Sequence, residues 1–278
     1  MAYKITKKNV LEAMNAGERL DGRKPFDIRN IEIKIPVSIN AEGSVSVKIG
    51  KTEVVAGIKM ATAEPYPDHE KEGTLSTGMD LLPLSSPNFD YGAPSIEAVE
   101  IARVIDRGIR ESRFIDFEKL CIKEGEKVWG ISIDLATIND DGNLIDAGAL
   151  AAMLALLTAR MPVYYEEAGR VKSGEFTDKP LPLKLENMPL TMTFFKIGDK
   201  LFLDPTREEE DAADARLTIE VSKAGKDEII NAMQKGGEST FTPEEIVAMI
   251  DETKNMFQKL NTLVQTEVKR FEKEGKKK

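Results

Sequence analysis

The fold is decided by the stretch Gly43-Ser-Val-Ser-Val-Lys-Ile-Gly-Lys-Thr-Glu-Val-Val55. Apolar and polar residues alternate over Val45–Ile49, and the same alternation occurs earlier, in Ile31–Ile35. A period of two residues is typical of a strand that buries one face. Val54–Ile58 is more continuously apolar, which indicates a more deeply buried strand. Together these segments predict a meander of antiparallel strands.

Helices follow this meander, and a polar segment then interrupts the chain. Ser95 begins a helix that runs to about Ser112, and Ala147–Ala159 is dense in Ala and Leu, which predicts a helix buried on most sides. Gly169–Pro189 is polar and proline-interrupted, which predicts a linker. The expected organisation is therefore a first half at residues 1–168, a linker at 169–189 and a second half at 190–278.

The second half repeats the layout of strands and helices. Gly198-Asp199 is a two-residue hairpin turn between Leu190–Phe195 and Lys200–Leu203. Thr242-Pro243-Glu244-Glu245 is a capping box that begins a long C-terminal helix. With a first helix expected over Thr6–Ala16, the chain is predicted to be α+β, with two similar halves of mixed sheet and packed helices.

The first half also contains a long proline-interrupted excursion. Residues 64–94 predict a loop with one short strand near Met79–Leu84. Loops of this length usually carry function or contact a partner. We therefore count this segment as a candidate partner surface.

Composition excludes several classes of protein. The chain has 278 residues, with 39 Lys and Arg against 48 Asp and Glu, for a net charge of −9. Such an acidic chain is a poor candidate for binding duplex DNA by bulk charge, although a local basic groove remains compatible with it. A single cysteine excludes a disulfide framework within the chain and a multi-cysteine metal site. No segment approaches the ~18 apolar residues of a membrane span, so we expect a cytoplasmic protein without membrane contact.

Common catalytic motifs are missing from the sequence. It contains no P-loop, GxGxxG, GxSxG or HExxH pattern. His69, the only histidine, lies between Asp68 and Glu70, which favours a solvated loop residue over a triad member. Cys121 lies in an apolar strand pattern and is most simply a small buried hydrophobe.

The strongest candidate for a binding surface is a row of arginines on the helix after Ser95. Arg103, Arg107 and Arg110 are spaced four and three residues apart and so share one face, and Arg113 extends the row past the helix end. Guanidinium groups at this spacing suit successive phosphates. Surface ion pairs are the alternative, because acidic residues at 100 and 106 are well spaced to pair with Arg103 and Arg110. Spacing alone leaves both interpretations open.

An acidic run, Glu208-Glu-Glu-Asp211 followed by Asp214, is the other candidate. Carboxylates can hold Mg²⁺ beside a phosphate. Consecutive residues converge on one ion only if the backbone wraps around it, and no glycine here supports such a wrap. A solvated acidic turn before a strand is therefore the favoured interpretation.

Several segments together resemble the RNase PH family, the phosphorolytic exoribonucleases that form six-membered rings. The resemblance covers nearly the whole chain, and it rests on Arg19–Arg23, Gly43–Val55, Ile96–Arg113, Ala149–Met161 and Leu203–Gly237. Met79–Ser86 and Glu100–Arg107 are most similar to a non-catalytic RNase PH-like subunit of the archaeal exosome ring. The resemblance implies an RNase PH-like α+β fold.

Two departures separate this chain from active members of that family. Active members carry Gly-Thr/Ser-Arg ahead of the small-residue helix, where the backbone and the Arg hold inorganic phosphate; this chain has Asn143-Leu144-Ile145. Active members also carry two Asp six residues apart, and here Asp211 matches the first while Leu217 stands at the second. Loss of the phosphate-binding Arg and of the catalytic carboxylate leaves no group to position or activate phosphate.

The resemblance therefore implies a subunit without catalytic residues, metal or cofactor of its own, in which Arg103, Arg107, Arg110 and Arg113 contact RNA phosphates. The implied partners are a catalytic RNase PH-like exosome subunit in a trimer of heterodimers, RNA-binding cap subunits and single-stranded RNA. Inorganic phosphate would be used at the partner's site, in 3′-to-5′ RNA degradation. Three alternatives remain at this point: a phosphorolytic nuclease in its own right, a metal-dependent hydrolase using Glu208–Asp214, and a scaffold that binds no RNA.

Overall fold

The computed structural model describes residues 2–165, 170–224 and 227–275. In those ranges the chain forms a six-stranded sheet, a four-stranded sheet, a two-stranded hairpin and five α-helices. One continuous apolar core includes residues of both predicted halves, from Val45 in the first sheet to Ile219 in the second and Met249 in the C-terminal helix.

The first sheet begins with the predicted meander. Its six strands are β1 (Ile31–Lys34), β2 (Gly43–Ile49), β3 (Thr52–Ala63), β4 (Thr74–Asp80), β5 (Cys121–Lys123) and β6 (Lys127–Asn139). The order is β1-β2-β3-β6-β4, with β5 paired to β6. β1, β2 and β3 pair antiparallel, which confirms the meander, whereas β4 runs parallel to β6. The short strand expected at Met79–Leu84 is β4, which lies earlier in the chain. The sequence did not reveal where it begins, because the polar residues Thr74, Ser76 and Thr77 hide the strand pattern.

Two helices pack on the first sheet. α2 (Ile96–Glu111) packs against β4, and α3 (Leu144–Thr158) packs against β2 and β3. Ser95 is the N-cap of α2 as predicted, since its side chain accepts a hydrogen bond from the Ala98 amide at 3.2 Å. α3 begins three residues before the predicted Ala147, and twelve of its residues are buried.

The second sheet forms as the hairpin signal predicts. Its strands are β9 (Leu190–Ile197), β10 (Lys200–Leu203), β11 (Ala215–Ala224) and β12 (Asp227–Gly237), in the order β10-β9-β11-β12. Gly198, at a φ of +59°, makes the tight turn between β9 and β10. The short helix α4 (Arg207–Ala212) connects the hairpin to β11, and α5 (Pro243–Gly275) ends the described chain.

The segment predicted as a linker is not only a linker. β7 (Arg160–Tyr165) and β8 (Arg170–Pro180) form an antiparallel hairpin, which is a two-stranded sheet of its own and packs on the first sheet through Tyr164 against Trp129. Prolines 180, 182 and 189 fall at or after the end of β8. Among the β8 residues whose burial the structure describes, none is deeply buried, so the sequence lacks the alternation that reveals a strand.

The N-terminal helix is longer than the sequence indicates. α1 spans Ala2–Asn15, so the predicted start at Thr6 is wrong. Its apolar face, Val10 and Met14, packs on a second, smaller core with Phe195 and Phe202. This contact ties the start of the chain to the second sheet.

The capping box at the start of α5 leads to a first prediction, which concerns the stability of the protein. The Thr242 hydroxyl accepts the Glu245 amide at 3.2 Å, and the Glu245 carboxylate accepts the Thr242 amide at 2.8 Å. We expect Thr242→Ala to lower the free energy of unfolding by about 1 kcal/mol, measured by urea denaturation, because an amide at the helix end loses its acceptor. Thr262→Ala, at an exposed position within α5, is the matched control and should have little effect. Equal effects of the two changes would contradict the cap.

Candidate nucleic-acid interface

The outer face of α2 presents two arginines of the predicted row, Arg103 and Arg107. The opposite face of the helix is buried and contains Ile101, Val104 and Ile105. Arg103 and Arg107 are exposed. Within the described part of the chain, Arg103 has no ion-pair or hydrogen-bond partner. Arg107 pairs with Glu111 at 3.1 Å, and both side chains are largely exposed, so this pair is weak.

Arg110 is held by the protein itself. Its Nε donates to Asp106 at 2.6 Å, and its Nη2 donates to the Leu75 carbonyl of β4 at 2.6 Å. The ion pair considered from spacing is therefore present for Arg110. The other one is not, because Glu100 pairs with Arg216 at 2.7 Å instead of with Arg103. The side chains consequently do not form one continuous row: Arg110 is drawn towards β4.

Arg113 lies just beyond the end of α2. Its φ of +55° turns the chain out of the helix, and its side chain is exposed. Its carbonyl accepts the Asn187 side-chain amide at 3.4 Å. Arg113 is therefore exposed to solvent, but it is not among the residues that line the groove beside Arg103 and Arg107.

A groove runs between α2 and the strands β11 and β12. It has a volume of about 420 Å³, and Arg103, Arg107 and Glu111 line its α2 side. The opposite side is formed by residues of the second sheet: Thr218, Glu220, Asn231, Ala232, Met233 and Gln234. The groove thus lies where the two halves of the chain meet, with cations on one wall.

The floor of this groove contains a buried carboxyl group. Glu220 is 1% exposed, and burial, together with the nearby Asp146, raises its pKa to about 8. A Cβ at Gly108 would overlap the Glu220 carboxyl group, so glycine at that position lets the carboxyl approach α2 closely. Burial also raises the pKa of Asp146 to about 7, although Thr193 donates two hydrogen bonds to it.

These raised pKa values make stability depend on pH. A carboxyl whose pKa is higher in the folded state stabilises the fold below its unfolded pKa of about 4.3, and this contribution is lost as the pH rises through the folded value. We expect Glu220→Gln to be more stable than wild type by ~5 kcal/mol above pH 8 and close to it near pH 4, because the amide carries no charge to bury. Thermal unfolding at several pH values checks this, with Glu272→Gln, at an exposed position of α5, as control. A difference that does not change with pH would contradict the assignment.

The beginning of α3 is already occupied by a carboxylate. The backbone amide of Asn143, at the N-cap, donates to Glu210 Oε2 at 2.8 Å. Leu144 and Ile145 are buried in the core. A helix N-terminus is a natural anion site because its amides and dipole favour negative charge. Here the protein supplies that anion from its own chain.

The acidic run is a helix and not a solvated turn. Glu209 is fully buried and receives a hydrogen bond from Arg19 Nε at 2.9 Å, so the prediction of a solvated acidic turn is wrong. Arg207 Nε donates to Asp211 at 2.9 Å, and Arg207 also pairs with Asp140 at 3.5 Å. Among the described residues, no group of three or more His, Cys, Asp or Glu side chains could hold a metal ion.

Leu217 and the remaining sequence candidates have clear positions. Leu217 is 5% exposed and lies in the apolar core, opposite Phe194 of β9. His69 is exposed between Asp68 and Glu72, as predicted for a loop histidine. Cys121 is only half-buried, so its prediction as a core residue is wrong: it stands at the start of the short β5.

No helix within the described ranges combines the length and the apolar character that crossing a membrane requires.

Comparison with known proteins gives the family. Residues 27–162 match domain 1 of the 3′ exoribonuclease family, RNase PH, and residues 187–255 match domain 2. The chain belongs to the RNase PH family. Exosome complex component Rrp42 of Methanothermobacter thermautotrophicus is 44% identical over 88% of this chain and 89% of that protein. The Pyrococcus furiosus protein of the same name is 42% identical over 89% of this chain and 88% of that protein.

Solved structures show the same relationship. A chain of the Archaeoglobus fulgidus exosome with RNA bound to the active site superposes with a TM-score of 0.85 and 39% identity, covering 94% of this chain and 98% of that one. A chain of an archaeal exosome core gives a TM-score of 0.82 and 37% identity, covering 95% and 98%. The RNase PH-like α+β fold predicted from the sequence is thus confirmed.

Several residues of this RNase PH-family chain escaped the sequence analysis. Glu210 and Arg19 make their contacts with residues far away in the sequence. Glu210 binds the Asn143 amide at the start of α3, and Arg19 pairs with Glu209 in α4. Glu220 and Asn231 lie in β11 and β12, and no motif or residue spacing marks either position in the sequence. Leu217–Val221 alternates apolar and polar residues, so Glu220 falls on the polar face of the strand, and the sequence gives no sign that its carboxyl group is buried.

Proposed function

We propose that this chain is a non-catalytic, RNA-binding subunit of an exosome ring. It pairs with a catalytic RNase PH-like subunit, three heterodimers forming the ring, and supports the partner's active site in 3′-to-5′ phosphorolytic degradation of RNA in the cytoplasm. RNA-binding cap subunits complete the assembly. The relatives named exosome complex component Rrp42, and the likeness to exosome core chains, support this proposal.

The observation that carries the non-catalytic assignment is the carboxylate at the start of α3. The family resemblance places inorganic phosphate at this helix terminus, and Glu210 already accepts the Asn143 amide there at 2.8 Å. Ile145 replaces the expected Arg with a buried apolar side chain. A phosphate entering this site would lose an amide donor and face a carboxylate, so the chain itself has no means of binding the nucleophile.

The acid/base position is lost for a separate reason. Leu217 is packed in the core opposite Phe194, so no ionisable group stands where the family's second Asp acts. Asp211, at the first position, is engaged by Arg207. The two chemical requirements, a bound phosphate and a general acid or base, therefore fail independently.

The RNA-binding part of the proposal rests on α2. Arg103 and Arg107 are exposed cations with little internal pairing, on the wall of an open groove. Phosphate oxygens are the acceptors that a guanidinium fork fits best. Arg113 would add a contact beyond the helix end, and Arg110 would contribute only with the part of its guanidinium that Asp106 and the Leu75 carbonyl leave open.

Reconstitution tests the assembly and the RNA contacts together. The chain is mixed with a catalytic RNase PH-like subunit, and the mass of the complex is measured in solution. Binding of a fluorescent single-stranded RNA is then followed in phosphate-free buffer, so that no RNA is degraded. We expect a complex of three heterodimers that binds RNA more tightly than either subunit alone. Failure to assemble, or unchanged affinity on assembly, would contradict the proposal.

A further inference from the structure

We infer that the groove between α2 and the β11–β12 edge is a ribonucleotide subsite that recognises a ribose 2′-hydroxyl through Asn231 and Glu220. This inference rests on the proposed RNA-binding function and deepens it. It assigns to the second sheet a role in telling RNA from DNA, beyond the phosphate contacts of Arg103 and Arg107.

The first observation is that two buried polar atoms of the groove lack partners. Glu220 Oε2 and Asn231 Nδ2 are both buried and have no hydrogen-bond partner among the described residues. Both residues line the same groove as Arg103 and Arg107. Buried polar groups are almost always paired, because an unpaired one costs about 1–3 kcal/mol, so two in one groove indicate a missing ligand.

The second observation is that Asn231 occupies an irregular position in the pairing of β11 with β12. In the pairing of β11 with β12, Glu220 stands opposite Ala232 and Val221 stands opposite Ile230, so Asn231 is the extra residue of a β-bulge. Bulges re-aim a side chain and are frequent beside binding sites. Ser222 Oγ donates to Asn231 Oδ1 at 3.1 Å, which leaves the amide nitrogen as the free group.

The chemistry of the two orphan atoms fits a hydroxyl group. Asn231 Nδ2 offers a donor, and Glu220 Oε2 offers an O–H donor when the carboxyl is protonated and an acceptor when it is ionised; a hydroxyl group both accepts and donates, so it fits either form. The ribose 2′-hydroxyl is the group that distinguishes RNA from DNA. The phosphates belong at the arginine wall, where the guanidinium groups of Arg103 and Arg107 supply several donors each.

The remaining features of the groove agree with a nucleotide. Its volume of about 420 Å³ lies within the range of small-ligand pockets. Met233 on β12 is 43% exposed and provides an apolar surface for a ribose or a base. The raised pKa of Glu220, about 8, keeps the floor largely neutral at pH 7, so it does not repel a phosphate held by Arg103 or Arg107.

The test is a deoxy scan of the RNA. The complex with the catalytic subunit is titrated, without phosphate, with a set of single-stranded RNAs that each carry one 2′-deoxy nucleotide. For wild type we expect one position at which the deoxy substitution weakens binding about fivefold, as for the loss of one hydrogen bond. In Asn231→Ala that position should lose its effect, while Asn255→Ala, on the exposed surface of α5, should keep it.

A second variant and a second readout separate the possible outcomes. Glu220→Leu should also abolish the effect of the sensitive position, and circular dichroism verifies its fold. Arg103→Ala should weaken all RNAs of the set equally; if it does not, the proposed RNA-binding function itself fails. If Asn231→Ala leaves the deoxy pattern intact, the subsite is overturned. If it instead weakens assembly with the catalytic subunit, the groove is a protein contact and the subsite is likewise overturned.

Discussion

Replacing Arg103 and Arg107 together with glutamate is expected to weaken RNA binding by the assembled complex about 100-fold, because two charge-assisted contacts worth roughly 1.5 kcal/mol each are lost. Both side chains are exposed on the groove wall, and neither supports the core. The fold should therefore be unchanged. Fluorescence anisotropy with single-stranded RNA in phosphate-free buffer measures the loss.

Salt dependence provides an independent readout of the same contacts. When Arg103 and Arg107 are both replaced by alanine, the slope of log affinity against log salt should fall by about 1.4, since each phosphate contact to a single strand contributes about 0.7. Lys254→Glu with Lys259→Glu, on the exposed face of α5, reverses the same number of charges away from the groove. That control should bind RNA nearly as wild type does. If the lysine double variant lost as much RNA affinity as Arg103→Glu with Arg107→Glu, only the net charge would matter, and the α2 surface would not be the interface.

Arg19→Ala is expected to lower the free energy of unfolding by about 3–5 kcal/mol, because it leaves the charge of Glu209 buried and unpaired. Both side chains are 0% exposed. Arg19 also donates to the Leu203 and Asp204 carbonyls at 2.6 and 2.9 Å, and its guanidinium lies 5.3 Å from the centre of the Phe202 ring. Loss of this one side chain therefore loosens the contact between the N-terminal segment and the second sheet. Urea denaturation measures the effect.

A double variant distinguishes the buried charge from simple loss of packing. Arg19→Met combined with Glu209→Met removes both charges while keeping similar volume, and it should recover most of the stability that Arg19→Ala loses. Arg23→Ala is a milder comparison because that side chain remains partly exposed. If the double variant is as unstable as Arg19→Ala, packing and not the unpaired carboxylate accounts for the loss.

The sequence predicted the elements whose signal is local. β1 and β2 alternate strictly, Ser95 caps α2 directly, and Gly198-Asp199 makes its hairpin without help from distant residues. The strand β8 was missed because its described residues do not alternate between buried and exposed positions, so no period of two appears in the sequence. Local chemistry thus determined which elements could be predicted.

The site was predicted only in part, because its decisive contacts are long-range. The arginine spacing identified α2, but only the fold shows that Asp106 and the Leu75 carbonyl hold Arg110. Glu209 looked like part of a solvated acidic turn until Arg19, 190 residues away, was seen to bury its charge. The bulge that directs Asn231 depends on the register between two strands, which no single segment specifies.

The most direct test of the central claim is release of nucleoside diphosphates from single-stranded RNA in the presence of inorganic phosphate. The purified chain is assayed alone and together with its catalytic partner. We predict no release by the chain alone, release by the complex, and weaker release when the complex carries Arg103→Glu and Arg107→Glu. Sustained diphosphate release by the chain alone would contradict the proposed function, because phosphate would then have to bind where Glu210 lies and a group other than Leu217 would have to act as the general acid.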